Sequence, residues 1–596
     1  MKKFCINSLI VLVLFSSSAV YASQRKDVLD KSQIEFLDTL MRDTWNFIDY
    51  ACDPVTGIPQ NFQDRTGHGT FTNSTPVGLY IASLAAASEI GLIGEKVAEQ
   101  KFERLMTSME KLHLEYGFFP NFFFSDFSSI PRDGVMIISD YNIYPVGLVI
   151  ARQRWPQFAK RISTYLDSIE WERLYTKKDN TIVWGYDLGA EKAVGSGLWL
   201  ACDARAAVTM MIGEGVAPAN VWDDMIRDPM EAKTGTIYQP GNRFGVTYIS
   251  AITGLFFYEY DTEVGETVGN LGWHQYKFSR KRGYPLWGWS NCNIPGREYT
   301  EMGYIPEWTV TPHALALLID YYPRHVTAAL QKMQKLGGEI PPEGFEDKKW
   351  GLRGCYDMQR NYWGDKYLQL EQGMMFIALA NFLHDNMVRQ WFVNDPLIKK
   401  GLKLSKPYIK HHPELLKRWE KRDAQPIVQM PMRMMGRRQA VAETVKSLDL
   451  SKFVSHQPDQ LKITHRNGST IFAIDGKKEW KELACSLTVP SIDIEGLDRV
   501  EFEIDVLKSD GPEPGSLRLT FADKFGQDRL TMLKLDPEKK HYSIDARDIY
   551  GFFLDDDIMT NMTIIFSYQP IFYHKHRLKS KKIALNIKSI KFITKE

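Results

Sequence analysis

The chain has 596 residues, of which 44% are hydrophobic and 25% are charged, and its formal net charge is +1. This length predicts more than one domain, and the composition excludes a disordered chain. The nearly neutral charge argues against nucleic acid or a charged membrane surface as the partner.

Residues 1–22 have the pattern of a secretory signal peptide. Lys2 and Lys3 precede an apolar run, and small residues then lead to a predicted cleavage site after Ala22. The apolar run is too short to span a membrane comfortably. We therefore expect an exported protein, periplasmic or secreted, without a membrane span.

The cysteines give no indication of a metal site. Cys5 lies in the predicted signal peptide, and the others are Cys52, Cys202, Cys292, Cys355 and Cys485. They are odd in number and widely spaced, and no CxxC pattern occurs, so the sequence indicates neither a disulfide scaffold nor a zinc site. We expect no metal and no cofactor.

Six stretches open with small or polar residues and continue as dense apolar helices. Their openings are marked by Gly78, Gly147, Gly197, Gly245, His313 and Gly373. A helix that is hydrophobic on all sides is normally buried. Amphipathic stretches such as residues 96–115 lie between them. Six buried helices that alternate with outer amphipathic ones predict a multidomain, mainly α protein whose residues 23–396 form an (α/α)6 toroid.

Glu371 opens the last of these inner helices. In a toroid the inner helices run parallel, so their N-terminal ends share one face, where free N–H groups and the helix dipole favour negative charge. We therefore expect the Glu371 carboxylate to be ionised and to face a cleft. A plain helix-end charge is the alternative.

Several segments resemble the bacterial glucoamylase-like family, whose relatives include β-1,2-glucan-cleaving hydrolases and domains of cyclic glucan synthases. The segments are "TVTPHALALLIDYYPRHVTAALQKM", "GCYDMQRNYWGDKYLQLEQGM" and "GYPLWGWSNCNIPG". The resemblance covers roughly residues 37–392 and is strongest from Gly283 onward. It implies an (α/α)6 barrel that acts on a glucan, in agreement with the helix pattern.

The resemblance also implies site residues. The family's "FYD" aspartate falls on Asp357, and the acidic residue of its "YLALDQG" segment falls on Glu371. Its other matching segments fall on Thr311, Pro312 and His313, on Ser139, Asp140 and Asn142, and on Asp203, Ala204 and Arg205.

One departure from the family concerns a glutamate. Many relatives have a Gly-Gly-Ser-Met-Phe-Glu run where this chain reads "PGNRFGV", so that Gly245 replaces the glutamate. Glu259, Asp261 and Glu263 lie nearby in sequence and are the available substitutes.

Glycoside hydrolysis requires two carboxyl groups, one as the acid and the other as base or nucleophile. We predict Asp357 and Glu371 as catalytic residues, with Asp140 as the third candidate. Asp203 is interpreted as the partner of Arg205 in a structural ion pair. Aromatic rings suit the C–H faces of sugars, and the predicted substrate-binding residues are His313, Trp287, Trp289, Tyr304, Trp308, Trp363, Tyr141 and Asn142.

The C-terminal third changes character. Residues 397–444 are basic and predict a linker with short helices, with a solvated linker favoured over a membrane-surface role. Residues 445–596 alternate hydrophobic and polar side chains between turn segments, which predicts an antiparallel β-sandwich. This part weakly resembles jelly-roll carbohydrate-binding modules, although a spacer or docking domain fits the pattern equally well.

Together these features predict an exported glycoside hydrolase or transglycosylase that acts on a glucan, with a β-linked glucan such as β-1,2-glucan as the leading substrate. The first alternative is a glycan-binding protein that kept the barrel but lost catalysis with the glutamate at Gly245. The second is a polysaccharide lyase, for which His313 and Tyr304 are the candidate residues.

Overall fold

The computed structural model describes residues 16–64, 67–68, 71–112, 116–127, 134–238, 246–294, 308–430, 443–466, 468–474, 482–493, 496–509, 516–522, 528–546, 549, 558–567 and 582–595. These residues divide into two compact units. Described residues up to 430 belong to the first unit, and those from 443 onward belong to the second.

The first unit is mainly helical. Its α-helices are Ser16–Gln24, Lys31–Tyr50, Ser74–Glu89, Glu95–Met109, Ile138–Tyr141, Ile143–Arg154, Ala159–Leu166, Arg205–Glu214, Val221–Asp224, Thr247–Ala251, Glu263–Arg282, Pro312–Ala316, Pro323–Lys335, Gln369–Leu383, Met387–Asn394, Pro396–Ser405 and Glu414–Asp423. Its 3-10 helices are Arg25–Val28, Pro156–Phe158, Trp171–Leu174 and Ile252–Leu255.

Short strands connect these helices. They are Phe62–Asp64, Gly67–His68, Phe71–Asn73, Phe122–Phe124, Val135–Ile137, Tyr175–Thr176, Thr181–Asp187, Lys192–Gly197, Pro229–Ala232, Gly235–Tyr238, Thr309–Val310, Tyr356–Asp357, Tyr362–Trp363 and Tyr367–Leu368. All of their pairings are antiparallel.

The predicted inner helices are buried where they form. Nearly every side chain of Ser74–Glu89 and Gln369–Leu383 is inaccessible to solvent, because hydrophobic and small residues surround both helices on all sides. The third predicted inner helix begins later than expected: Lys192–Gly197 is a strand, and the helix starts at Arg205. Gly195 has a φ of +88°, which suits glycine and disfavours a helix at this point.

Two inner helices touch backbone to backbone. A Cβ atom on Gly78 would lie 1.9 Å from Ile143 O, and one on Gly147 would lie 2.6 Å from Gly78 O. Only glycine allows this approach of Ser74–Glu89 to Ile143–Arg154. The contact brings the opening of one helix beside the opening of the other.

The described part of the basic segment, up to residue 430, packs on the helical unit and does not form a solvated linker. Its helix Pro396–Ser405 packs on Arg205–Glu214, where a Cβ on Gly401 would lie 2.2 Å from Thr209 O. Its second helix buries Trp419, whose indole Nε1 donates to Tyr260 O at 2.9 Å. Both helices are parts of the first unit because apolar and glycine positions anchor them, despite the basic surface.

The predicted cleavage site after Ala22 falls within the helix Ser16–Gln24. Ala22 is buried, and Arg25 forms a buried ion pair with Asp423 at 3.1 Å. Export of the protein stays a prediction. Among the described residues, no helix has the length and apolar character needed to cross a membrane.

The second unit contains two antiparallel sheets. In order, the first has Leu461–Arg466, Ser469–Ile474, Ile583–Lys595, Leu497–Ser509 and His541–Asp545, with Glu443–Ser447 also paired to Ile583–Lys595. The second has Val454–Ser455, Glu482–Asp493, Ile558–Ser567, Ser516–Ala522 and Asp528–Lys534. Alternating side chains from both sheets form one hydrophobic core, which includes Phe472, Phe502, Leu519 and Phe592.

Candidate active site

Asp140 lies at the opening of an inner helix and accepts two side-chain hydrogen bonds. It belongs to the short helix Ile138–Tyr141. Thr75 Oγ1 donates to its Oδ1 at 3.2 Å, and Asn121 Nδ2 donates to its Oδ2 at 2.8 Å. Burial raises the pKa of Asp140, and the two donors oppose this effect because they favour the ionised form.

Asp203 lies beside Asp140 and has a strongly altered acidity. Burial, and then the negative charge of Asp140, raise the pKa of Asp203 to about 7. Asn142 connects the two segments, because its Nδ2 donates to both Ser139 O and Asp203 O. No ion pair to the Asp203 carboxyl occurs among the described residues. Two neighbouring carboxyls in these environments are suited to divide acid and base roles.

The predicted ion pair between Asp203 and Arg205 is wrong. Arg205 instead binds Glu259, with Nε–Oε1 at 2.9 Å and Nη2–Oε2 at 2.8 Å. The planar guanidinium of Arg205 matches the Glu259 carboxylate in this two-bond geometry. Glu259 is therefore occupied, as are Asp261 with His411 and Glu263 with Arg227 and Lys410. Gly245 itself lies outside the described residues.

Glu371 is buried at the start of Gln369–Leu383, and neither of its carboxyl oxygens makes a hydrogen bond of ordinary geometry with a described residue. Burial raises the pKa of Glu371 to about 8, and the Asn293 backbone opposes this shift only weakly. Burial therefore opposes the expected ionisation of Glu371 at the helix end, and an ionised Glu371 stays a prediction. The helix dipole, equivalent to about half a charge, acts in the opposite direction and favours the ionised carboxylate.

Gly354 makes room for the Glu371 carboxyl. A Cβ atom at position 354 would lie 2.3 Å from Glu371 Oε2. We expect Gly354→Ala to lower the free energy of unfolding by about 1–3 kcal/mol, because overpacking displaces the buried carboxyl. Urea unfolding measures the loss. The matched control is Gly254→Ala, where an added Cβ meets nothing within 4 Å. Equal effects of the two substitutions would contradict the steric explanation.

Asp357 is fully buried in the hairpin formed by Tyr356–Asp357 and Tyr362–Trp363. Its Oδ1 accepts from Gln359 N at 2.9 Å and Arg360 N at 3.0 Å, and its Oδ2 accepts from Arg360 Nη1 at 3.1 Å. These contacts are typical of an aspartate that stabilises a turn. The catalytic role predicted for Asp357 is not tested by these contacts, but they favour a structural role for its carboxylate.

The predicted sugar-stacking rings pack inside the first unit. The buried rings are Tyr141, Trp287, Trp289, Trp308 and Trp363. Trp289 meets Phe278 edge-on at 5.8 Å, and Trp363 Nε1 donates to Leu336 O at 2.9 Å. Each of these rings is less than a tenth exposed, which leaves little ring surface for stacking on a sugar. Tyr304 lies outside the described residues. Sugar binding by this set stays a prediction.

His313 and Asn142 are both buried near helix openings. Burial lowers the pKa of His313 to about 3, so the imidazole is neutral, and its two ring nitrogens have no partner among the residues described. An unpartnered buried imidazole has unused hydrogen-bonding capacity. Asn142 uses its amide nitrogen within the protein, while its Oδ1 has no partner in the described part. Both remain candidates for contact with a substrate.

The structure brings together residues that sequence reasoning had separated. Asp140 was the third catalytic candidate, Asp203 was assigned to an ion pair, and Asn121 and Thr75 were not singled out. One signal was available for Asp203: it aligns with the first position of the family's E-P-R triplet, just before an inner helix. Among the described residues, no group of three or more His, Cys, Asp or Glu side chains is placed to hold a metal ion.

Comparisons with known proteins agree with this architecture. A family described as a protein of unknown function, DUF3131, matches residues 39–136. No curated protein matches the chain. A "putative glucoamylase" from Bacteroides caccae ATCC 43185 superposes with a TM-score of 0.55 and 15% identity, covering 63% of this chain and 98% of that protein.

Two similar structures are enzymes in complex with sugars. The endo-β-1,2-glucanase from Chitinophaga pinensis, with sophorotriose and glucose, has a TM-score of 0.54 and 16% identity, covering 64% of this chain and all of that one. The endo-β-1,2-glucanase from Talaromyces funiculosus, with sophorose, has a TM-score of 0.52 and 12% identity, covering 69% and 96%. The resemblance seen in the sequence is thus confirmed at the level of the fold: this chain contains the fold of the glucoamylase-like proteins and endo-β-1,2-glucanases.

Proposed function

We propose that the first unit is an exported glycoside hydrolase that cleaves a glucan, with β-1,2-glucan as the leading substrate. The observation that carries the proposal is a pair of carboxyls at the openings of two buried helices: the partly buried Asp140 and the buried Asp203, whose segments are connected by Asn142. Glycoside hydrolysis requires two such groups. The sugar-bound endo-β-1,2-glucanases of the same fold supply the substrate class.

The environments of the two carboxyls suggest their roles. Asp203, with a pKa of about 7, keeps its proton more readily and is assigned as the general acid. Asp140 accepts hydrogen bonds from Asn121 and Thr75, which favour its ionised form, and is assigned as the base or nucleophile. Transfer to a sugar hydroxyl instead of water would use the same two groups and give transglycosylation.

The proposal includes an arrangement of the domains. The buried helices form the inner ring of an (α/α)6 toroid, with their openings around one glucan-binding cleft. Asp140, Asp203, His313 and Glu371 all lie at or just before such openings. The second unit is a jelly-roll-like β-sandwich whose two sheets share one core. It either binds carbohydrate or separates the first unit from another surface.

The test is release of reducing sugar from β-1,2-, β-1,3-, β-1,6- and α-1,4-glucans, with Asp357→Asn protein alongside. We expect release from β-1,2-glucan, and we expect Asp357→Asn to retain it, because the Asp357 carboxyl is engaged in its turn. Loss of release in a folded Asp357→Asn variant would return the catalytic role to Asp357.

Two other outcomes would favour the alternative functions. Retention of the protein on one glucan without release of sugar would indicate a glycan-binding protein, with Gly245 as the reason for the lost activity. An unsaturated product from a uronate polymer would indicate a lyase. Either result would overturn the hydrolase proposal.

A further inference from the structure

Cys292 and Cys355 stand apart from the other described cysteines because their side chains contact each other. The two thiols are hydrogen-bond partners, and both are fully buried. Cys355 Sγ also lies 2.7 Å from Asn293 O. Both cysteines are unoxidised in this structure. Their contact is a feature of the fold, since they are far apart in sequence.

The surroundings hold the two thiols in place. Residues 284–294 have no helix or strand, but Gln275 Oε1 accepts from Trp289 N at 2.9 Å and fixes this segment from the preceding helix. Cys355 directly precedes the strand Tyr356–Asp357. A Cβ on Gly364 would lie 3.1 Å from Cys355 Sγ, so the hairpin closes over the thiol. The pair is thus confined from both sides.

The other described cysteines have different neighbours. Cys52 Sγ contacts Ile48 O, Cys202 Sγ accepts from Ala204 N, and Cys485 Sγ contacts Ile564 O. None of them is a hydrogen-bond partner of another cysteine among the described residues. A specific cross-link is therefore available to one pair.

We propose that Cys292 and Cys355 form a disulfide when the chain folds in the presence of a small disulfide such as oxidised glutathione. One cysteine thiolate attacks the glutathione disulfide, giving a mixed disulfide and one reduced glutathione. The second cysteine thiolate then attacks the protein sulfur of that mixed disulfide and releases a second reduced glutathione. The two protein thiols lose two protons and two electrons, and glutathione disulfide accepts them.

The cross-link joins residues 284–294 to the hairpin that follows Cys355. It replaces a contact between two segments distant in sequence with a covalent bond, which restricts the unfolded chain and stabilises the fold. The bond also lies near Glu371, whose carboxyl interacts electrostatically with both cysteines. This inference is independent of the proposed hydrolase activity, because it concerns only the covalent state of the folded chain.

The test compares full-length protein folded with oxidised glutathione and the same protein kept in a phosphine reductant. Each sample is alkylated, digested and analysed by mass spectrometry for linked peptides. We expect a peptide linking Cys292 to Cys355, two fewer alkylated cysteines, and a melting temperature several degrees higher for the oxidised protein. Cys292→Ser should abolish the linked peptide, and Cys485→Ser is the matched control that should retain it.

A folded, glutathione-treated wild type with both thiols alkylated would overturn the proposal. A linked peptide that joins either residue to Cys52, Cys202 or Cys485 would also overturn it. If Cys292→Ser does not fold, the peptide map of the wild-type protein alone decides between these outcomes.

Discussion

Replacing Asp203 with asparagine should lower the rate of glucan cleavage at least about a hundredfold, the usual effect of removing an acid–base group. The amide has nearly the same shape as the carboxyl but cannot transfer a proton to a leaving oxygen. Because Asn142 binds the backbone oxygen of Asp203, this contact survives the substitution. The measurement is the initial rate of reducing-sugar release at saturating β-1,2-glucan, with circular dichroism to confirm folding.

The matched control for Asp203→Asn is Asp385→Asn. The Asp385 side chain is 73% exposed, and its φ of +50° is one that asparagine tolerates. We expect this variant to keep the wild-type rate. An Asp203→Asn protein with the wild-type rate would show that the acid lies elsewhere, and Glu371 would then be the next residue to replace.

The acidity of Asp203 also predicts the alkaline side of the pH profile. An acid must be protonated, and Asp203 loses its proton as the pH rises through about 7. The rate should therefore fall above pH 7 in the wild type. A rate that stays constant from pH 6 to pH 9 would contradict the assignment of Asp203 as the acid.

The buried helices were predictable because the information is local. A run such as Met374–Leu383 is apolar on almost every side, so it is unsuited to the protein surface. The same hydrophobic pattern does not show where a helix begins or ends. At Gly195 the chain forms a strand, because glycines and a partner strand at Thr181–Asp187 compete with the helix. Pairing with a distant strand is not visible in the residues of one segment.

The site was harder to predict because its contacts join distant parts of the chain. Asp203 and Arg205 are neighbours in sequence, which suggested an ion pair, but Arg205 binds Glu259. Asp203 then lies beside Asp140 because Asn142 connects their segments. Conversely, Asp357 was predicted to be catalytic because it lies in a motif that resembles the family. Its hydrogen bonds to backbone N–H groups of the turn are visible only in the structure. The positions of charged residues in the sequence do not show which carboxyl pairs with an arginine in the folded chain.

Replacing Glu371 with glutamine should stabilise the first unit at pH 8 and have little effect at pH 5. The folded state raises the pKa of Glu371 from 4.5 to about 8. Between these values the folded chain keeps a proton that the unfolded chain releases. Stability therefore falls as the pH rises through this window, by up to about 1.4 kcal/mol per pH unit. Glutamine does not titrate, so it avoids this loss. At pH 8 the free energy of unfolding of the variant should exceed that of the wild type by about 2–4 kcal/mol.

Urea unfolding at pH 5 and pH 8, followed by tryptophan fluorescence, measures this difference, because all tryptophans except Trp480 precede residue 430. The matched control is Glu414→Gln. Glu414 also lies in the first turn of a helix, but its side chain is 68% exposed, so we expect only a small change that is similar at both pH values. If Glu371→Gln instead destabilises the protein more at pH 8 than at pH 5, the folded chain holds Glu371 ionised. The helix dipole would then stabilise the ionised carboxylate more than burial destabilises it, and Glu371 would again be a candidate for a carboxylate that faces the cleft.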